Sequence, residues 1–152
     1  MADADEEREQ TSDIEAVRAA NRAFFKAFES RDIAKMDEVW AHEGQVTCAH
    51  PTRSLAVGWP EIREIWQTIL NNVGEIRFDI VDEHIEVHGD LAWLVCVELV
   101  GERLIFGESQ TELLATNLYR REHGRWLLVH HHSSPLVTRR GQGRRPPEPA
   151  AR

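Results

Sequence analysis

The chain has 152 residues, enough for one domain with a real core and too few for two full-sized ones. Its formal net charge is −8, and the two ends cancel: residues 1–12 hold five acids and one arginine, residues 139–152 five arginines and one glutamate, so the body carries the whole acidic excess. An acidic body argues against a nucleic-acid groove, no apolar run reaches membrane-spanning length, and the acidic start does not read as a signal peptide.

The expectation is therefore a cytoplasmic protein without nucleic-acid or membrane partners. Cys48 and Cys96 lie in apolar, strand-like runs and read as buried thiols of a reducing compartment. Residues 1–12 read as a disordered acidic tail, 13–138 as the domain, and the Arg/Pro/Gly-rich 139–152 as a second disordered tail.

In chain order, Ser12 and Glu15 have the spacing of a capping box, and Ile14, Val17, Asn21, Phe24, Phe25 and Phe28 follow helical spacing over about residues 13–29. Asp32 is a good N-cap for a short helix through Ile33, Met36, Val39 and Trp40. The run "GQVTCAHP" alternates as a strand until Pro51 stops it, and "SLAVG" is a second short strand. Pro60 suits the first turn of a third helix, with Ile62, Ile65, Trp66, Ile69 and Leu70 as its apolar stripe. From Gly74 the period becomes two, predicting strands at about 75–88, 91–101, 108–121 and 125–137. Their turns fall at Gly89-Asp90, between Gly101 and Gly107, and at Glu122-His123-Gly124. The fold class is α+β, with helices covering one face of a curved, mostly antiparallel sheet.

The last strand contains "WLLVHHHSSP". Strict alternation puts Trp126, Leu128, His130 and His132 on one face and Leu127, Val129, His131 and Ser133 on the other. The three histidines therefore do not share one site. His130 and His132 alone are two ligands short of a closed metal site, and no CxxC or HExxH pattern supports one, so neither metal nor cofactor is expected.

This order of elements, with "SRDIAKMDEVW", "VTCAHP", "VGWPEIREIW" and "LYRREHGRWLLVHHHSS", resembles the nuclear transport factor 2-like superfamily. Within it the chain is similar to SnoaL-like proteins and ketosteroid isomerase homologues, and "GRWLLVHHHSS" to the calcium/calmodulin-dependent kinase association domain. The resemblance implies a cystatin-like cone, its curved sheet wrapped around helices over a central pocket, and a homodimer. It also implies where the isomerase groups would fall. His50 stands before Pro51 where that branch has an Asp base, Phe24 where it has a tyrosine, and Thr116 or Asn117 where it has an aspartic acid. A true ketosteroid isomerase is thereby excluded. The pocket arginines of the kinase domain fall on Glu98, Asn117 and Ser133, which puts Val129, His131 and Ser133 on the pocket face.

The resulting expectation is a SnoaL-like protein binding a small, mostly apolar ligand. His50 would move a proton, partnered by Glu98 or His131, as in an isomerisation, cyclisation or dehydration. Phe24, Trp59, Trp66, Thr116, Asn117 and Ser133 would hold the ligand, the last three by hydrogen bonds. The alternative is a ligand-binding or dimerisation module without chemistry. The homodimer is expected to form through the sheet face carrying Trp93, Val95, Val97, Trp126 and Leu128.

Overall fold

The computed structural model describes residues 2–136; the tail at 139–152 lies outside them. Three helices and six strands follow in the order α1 (Ala2–Ser30), α2 (Ile33–Val39), β1 (Thr47–Ala49), β2 (Ala56–Val57), α3 (Trp59–Asn72), β3 (Glu75–His88), β4 (Leu91–Leu104), β5 (Gly107–Glu122) and β6 (Arg125–Pro135).

α1 buries one stripe, Val17, Asn21, Phe24, Phe25 and Phe28, at the spacing its sequence announces. It does not begin at Ser12. The helix runs back through the acidic segment to Ala2, and Thr11 Oγ1 bonds back to the carbonyl of Glu7 within it. Asp5, Glu6 and Glu7 lie near the positive end of the helix dipole, and Ala, Glu and Arg favour helix, so the segment read as a disordered tail continues α1. The Asp32 cap forms as expected, Oδ1 accepting from the Ala34 amide at 2.9 Å. α3 starts at Gly58, whose φ of 89° needs a residue without Cβ, with Pro60 in the first turn. Ile62, Trp66 and Leu70 face the core at four-residue spacing.

The strands form one sheet in the order β2-β1-β6-β5-β4-β3, parallel only between β1 and β6. At the β5–β6 turn His123 and Gly124 both have positive φ, as a two-residue hairpin of matching twist requires. Two irregularities bend the sheet. In β3, Asp82 and Glu83 fall between the Val81–Val97 and His84–Val95 pairs, with Asp82 at φ 52°. In β6, Val129 falls between the Leu118–His130 and Tyr119–Leu128 pairs. Each inserts residues without a partner and increases the local twist. The result is a curved, unclosed sheet with the helices packed in its concavity.

The β6 bulge overturns part of the alternation expected for that strand. Before it Trp126 and Leu128 are buried, after it His131 and Ser133 are buried, so all four face inward. One extra residue switches the parity between them. His130 and His132 do turn outward, His130 Nδ1 pairing with Thr47 Oγ1 at 2.6 Å. Trp126 and Leu128 therefore do not belong to the outer face assigned to the dimer.

Candidate functional site

A cavity of about 350 Å³ opens between the helices and the concave sheet. Phe24, Phe25 and Phe28 of α1, Trp66 of α3 and Phe78 of β3 supply its aromatic wall, because each lies on the inward stripe of its element. Glu98 reaches it from β4 and His131 and Ser133 from β6, while His50 enters from the turn after β1. Among the described residues, its lining holds two carboxylates, Glu98 and Glu102, and no lysine or arginine. A wider trough of about 610 Å³ on β3–β5 shares Val100, Glu102 and Thr111 with this cavity; there Glu75 pairs with Arg77 and Arg103 at 3.5 and 3.6 Å. The trough's two arginines are thus engaged, and Asp79, Glu108 and Glu112 leave it acidic.

Glu98 is 2% exposed. Its Oε2 accepts from the Ser133 hydroxyl at 3.3 Å, and its Oε1 has no partner among the described residues. Burial opposes ionisation and raises the carboxyl to about 7, the Ser133 hydrogen bond working weakly against the rise. Glu98 thus changes charge near neutrality.

His131 is fixed from behind. Tyr119 donates its hydroxyl to Asn21 Oδ1 at 2.7 Å, and Asn117 Nδ2 donates to the same oxygen at 2.8 Å. Asn117 then has only its Oδ1 to offer His131 Nδ1, at 2.6 Å, so Nδ1 must carry the proton. Nε2, on the opposite edge of the ring, is left as a lone-pair acceptor. Burial foremost, then His50, brings the His131 pKa down to about 3, so the ring stays neutral. Phe24 and Trp66 hold its faces, with ring centroids 5.0 and 6.2 Å away.

His50 is half-buried, edge-on to Trp66 at 5.9 Å. Burial and nearby Arg53 bring it down to about 4. It too is neutral at pH 7. Both cysteines are buried free thiols, pushed up to about 12 chiefly by burial, and so are poor nucleophiles. Among the described residues no three metal-ligating side chains come together.

Of the residues singled out in the sequence, His50, Glu98, His131, Phe24, Trp66 and Ser133 line one cavity. Trp59, Thr116 and Asn117 are not in its lining. Trp59 stacks on His42 and Trp40, centroids 4.8 and 5.9 Å apart. Seven residues carry it about 10 Å along the helix axis from Trp66, to the end that meets α2. Thr116 lies between inward Ala115 and Asn117 and turns outward, opposite Val95 and His132. Asn117 is buried one layer behind the cavity, where it orients His131. Asn21 and Tyr119 complete that layer and were not foreseen as site residues. The available signal was Asn21 itself, an amide on an otherwise apolar helical stripe.

Comparison with known proteins agrees with this architecture. The SnoaL-like domain family matches residues 17–138. A candidate dehydratase of the NTF2-like family from Streptomyces avermitilis is 31% identical, with 84% of this chain and 99% of that one covered at a TM-score of 0.78. A candidate calcium/calmodulin-dependent protein kinase type II association domain from Thiobacillus denitrificans is 32% identical, covering 79% and 94% of the two chains at a TM-score of 0.71. The Arabidopsis thaliana F-box protein SKIP8 is 25% identical over 130 residues. The chain accounts for 86% of itself in that match but spans only 54% of the F-box protein. With the helices, the curved sheet and the matched segment all in agreement, the chain belongs to the SnoaL-like domain family and has the NTF2-like, cystatin-like fold.

Proposed function

We propose that the cavity receives a small, mostly apolar molecule and that the chain moves a proton on it, as a cofactor-independent isomerase, cyclase or dehydratase of the cytoplasm. The observation that carries this reading is the buried Glu98 carboxyl beside two neutral imidazoles in an aromatic-walled cavity. A carboxyl that titrates near pH 7 can both take and give a proton there. The neutral His50 and His131 supply lone pairs to receive one, and neither needs to lose a charge first. The likeness to a candidate dehydratase at 31% identity favours the same class. By the resemblance, Phe24, His50 and either Thr116 or Asn117 fall where a ketosteroid isomerase has its acidic and phenolic groups, so that reaction is not the proposal.

The test is deuterium incorporation. Small aryl and alkyl ketones and β-hydroxy ketones are incubated with the protein in heavy water, and exchange beside the carbonyl is followed by NMR. Exchange is expected with the intact chain, and His50→Ala should slow it by a factor of about 10²–10⁴, the usual worth of a general acid–base group. His50 is only half-buried, so the melting temperature should change little. Exchange unaltered by His50→Ala and Glu98→Gln would remove the catalytic assignment.

A second reading, a non-catalytic binding or dimerisation module, is favoured by one observation. The outer sheet face exposes Leu91, Trp93, Leu114 and Leu118, and the chain is 32% identical to a candidate kinase association domain. A homodimer through that face is compatible with either reading.

A further inference from the structure

We propose that the ligand of this cavity carries a basic nitrogen, and that its ammonium group docks on Glu98 Oε1 and His131 Nε2 against the aromatic wall. The inference rests on the cavity being a ligand site, as argued above, and names the chemical class it takes.

Three features converge on it. The first is the polarity of the hydrogen-bonding groups. The Asn21–Asn117 relay spends the only N–H of His131 on Asn117, leaving an acceptor on the cavity side. Ser133 spends its hydroxyl proton on Glu98. Glu98 Oε1 has no partner among the described residues although the residue is 2% exposed. With Glu98 ionised, the floor at Glu98, His131 and Ser133 therefore offers acceptors, its own donors being committed, while the lining's unpaired buried donor, Trp66 Nε1, belongs to the aromatic wall. A buried acceptor without a donor is costly, and an ammonium with several N–H groups satisfies more than one at once.

The second feature is charge. Among the described residues the lining contains Glu98 and Glu102 and no lysine or arginine, and both histidines are held neutral. A carboxylate ligand would enter beside two acids, with Arg53, the cation near His50, outside the lining. A ligand group that only accepts, such as a carbonyl oxygen, would leave His131 Nε2 unpaired if placed on this floor, so a carbonyl of the ligand belongs elsewhere in the cavity and the ammonium here. The third feature is the wall. Phe24, Phe25, Phe28, Trp66 and Phe78 crowd the space, with the Phe24–Trp66 and Phe28–Trp66 centroids 5.7 and 5.1 Å apart. Ring faces attract cations, most strongly where water is excluded. The same wall accepts the apolar remainder of the molecule.

The test uses three probes that differ at one end: 4-phenylbutylamine, 4-phenylbutan-1-ol and 4-phenylbutyrate, each titrated calorimetrically into the intact chain and into Glu98→Gln. The amine is expected to bind the intact chain at least about tenfold more tightly than the alcohol, as a charge-assisted pair with a buried carboxylate should, with the butyrate weakest. Glu98→Gln keeps the shape of the side chain and removes its charge, and should abolish most of the amine's advantage while leaving the alcohol little changed. An alcohol or butyrate that binds the intact chain as tightly as the amine overturns the amine assignment and leaves the cavity reading standing. So does an amine preference that survives in Glu98→Gln. If none of the three binds at millimolar concentration, the ligand-site reading falls as well. The comparison within the intact chain needs no variant, so it holds even if Glu98→Gln folds poorly.

Discussion

Glu98 and the two inward histidines give the molecule opposing pH dependences, whose signs follow from which state binds more protons. Glu98 is raised in the folded state, to about 7, so between its ordinary value and 7 the folded chain holds a proton the unfolded chain has lost. Stability from this group is complete at acid pH and falls as pH rises to about 7. Removing the charge with Glu98→Gln should therefore stabilise the chain relative to the intact protein above pH 7, by on the order of 3 kcal/mol, with the difference shrinking towards pH 4.5. Urea unfolding of both proteins across that range measures it, and a difference independent of pH would show that the carboxyl is not held protonated. His131 works the other way. Its pKa is lowered to about 3, so its contribution is complete above its ordinary value and is lost as pH falls from about 6.5 towards 3. Behind it, Asn117→Ala should leave the His131 Nδ1–H without its acceptor and Asn21 Oδ1 with Tyr119 as its one donor instead of two, costing about 1–3 kcal/mol. The same variant frees the His131 tautomer, so two-bond nitrogen–proton NMR of the ring should show Nδ1–H in the intact chain and a mixture in Asn117→Ala.

At the scale of elements, periodicity made most of the fold legible. The 3.6-residue stripes of α1 and α3, the Asp32 cap and the four long strands were all readable, with strand bounds within a few residues of those observed. Two features were not, and each has a physical cause. The acidic segment before Ser12 carries little apolar pattern, so nothing in hydrophobic spacing shows that α1 runs on through it; its helicity comes from propensity and the helix dipole. The β6 bulge is silent in sequence because Leu127, Leu128 and Val129 are apolar in either register. Six of the nine residues singled out reached the cavity. Thr116 failed because it and Asn117 are consecutive in a strand, where only one can turn inward. The bulge itself makes a sharp test. Deleting Val129 removes the unpaired residue and leaves Trp126, Leu128, His131 and Ser133 at alternate positions, all still inward, with the β5 pairings on either side kept. The deletion should therefore keep the fold and, like Val129→Ala at a partly buried position, cost no more than about 3 kcal/mol, read by urea unfolding. A chain that unfolds on the deletion but not with Val129→Ala would show that the bulge itself, rather than the parity of the buried residues, is what the fold requires.

For the whole molecule, the open question is what meets the outer face of the sheet. Both faces of the long strands are apolar, yet the helices cover only the concave one. The outer face presents Trp93 and Leu118 as direct cross-strand neighbours, 41% and 36% exposed, with Leu91 and Leu114 at 54% and 41%. His88 stacks on Trp93 at 5.2 Å, and His130 and His132 flank the patch. A contiguous apolar surface rimmed by polar groups is the usual mark of an interface, and two such sheets pack face to face about 10 Å apart. A homodimer through this face is the predicted assembly, centred on Trp93 and Leu118 rather than on the inward Trp126 and Leu128. Sedimentation at micromolar concentration should give twice the chain mass. Leu118→Glu should give the monomer, because a charge on each copy would be buried against its own image. A monomeric intact chain sinks the prediction. The cavity opens on the opposite side of the sheet, so the monomeric variant should retain circular dichroism and bind 4-phenylbutylamine as the intact chain does. If dissociation abolishes binding while the fold persists, the outer face and the cavity are coupled through β4 and β5, the strands that carry both Trp93 and Leu118 outward and Glu98 and Asn117 inward.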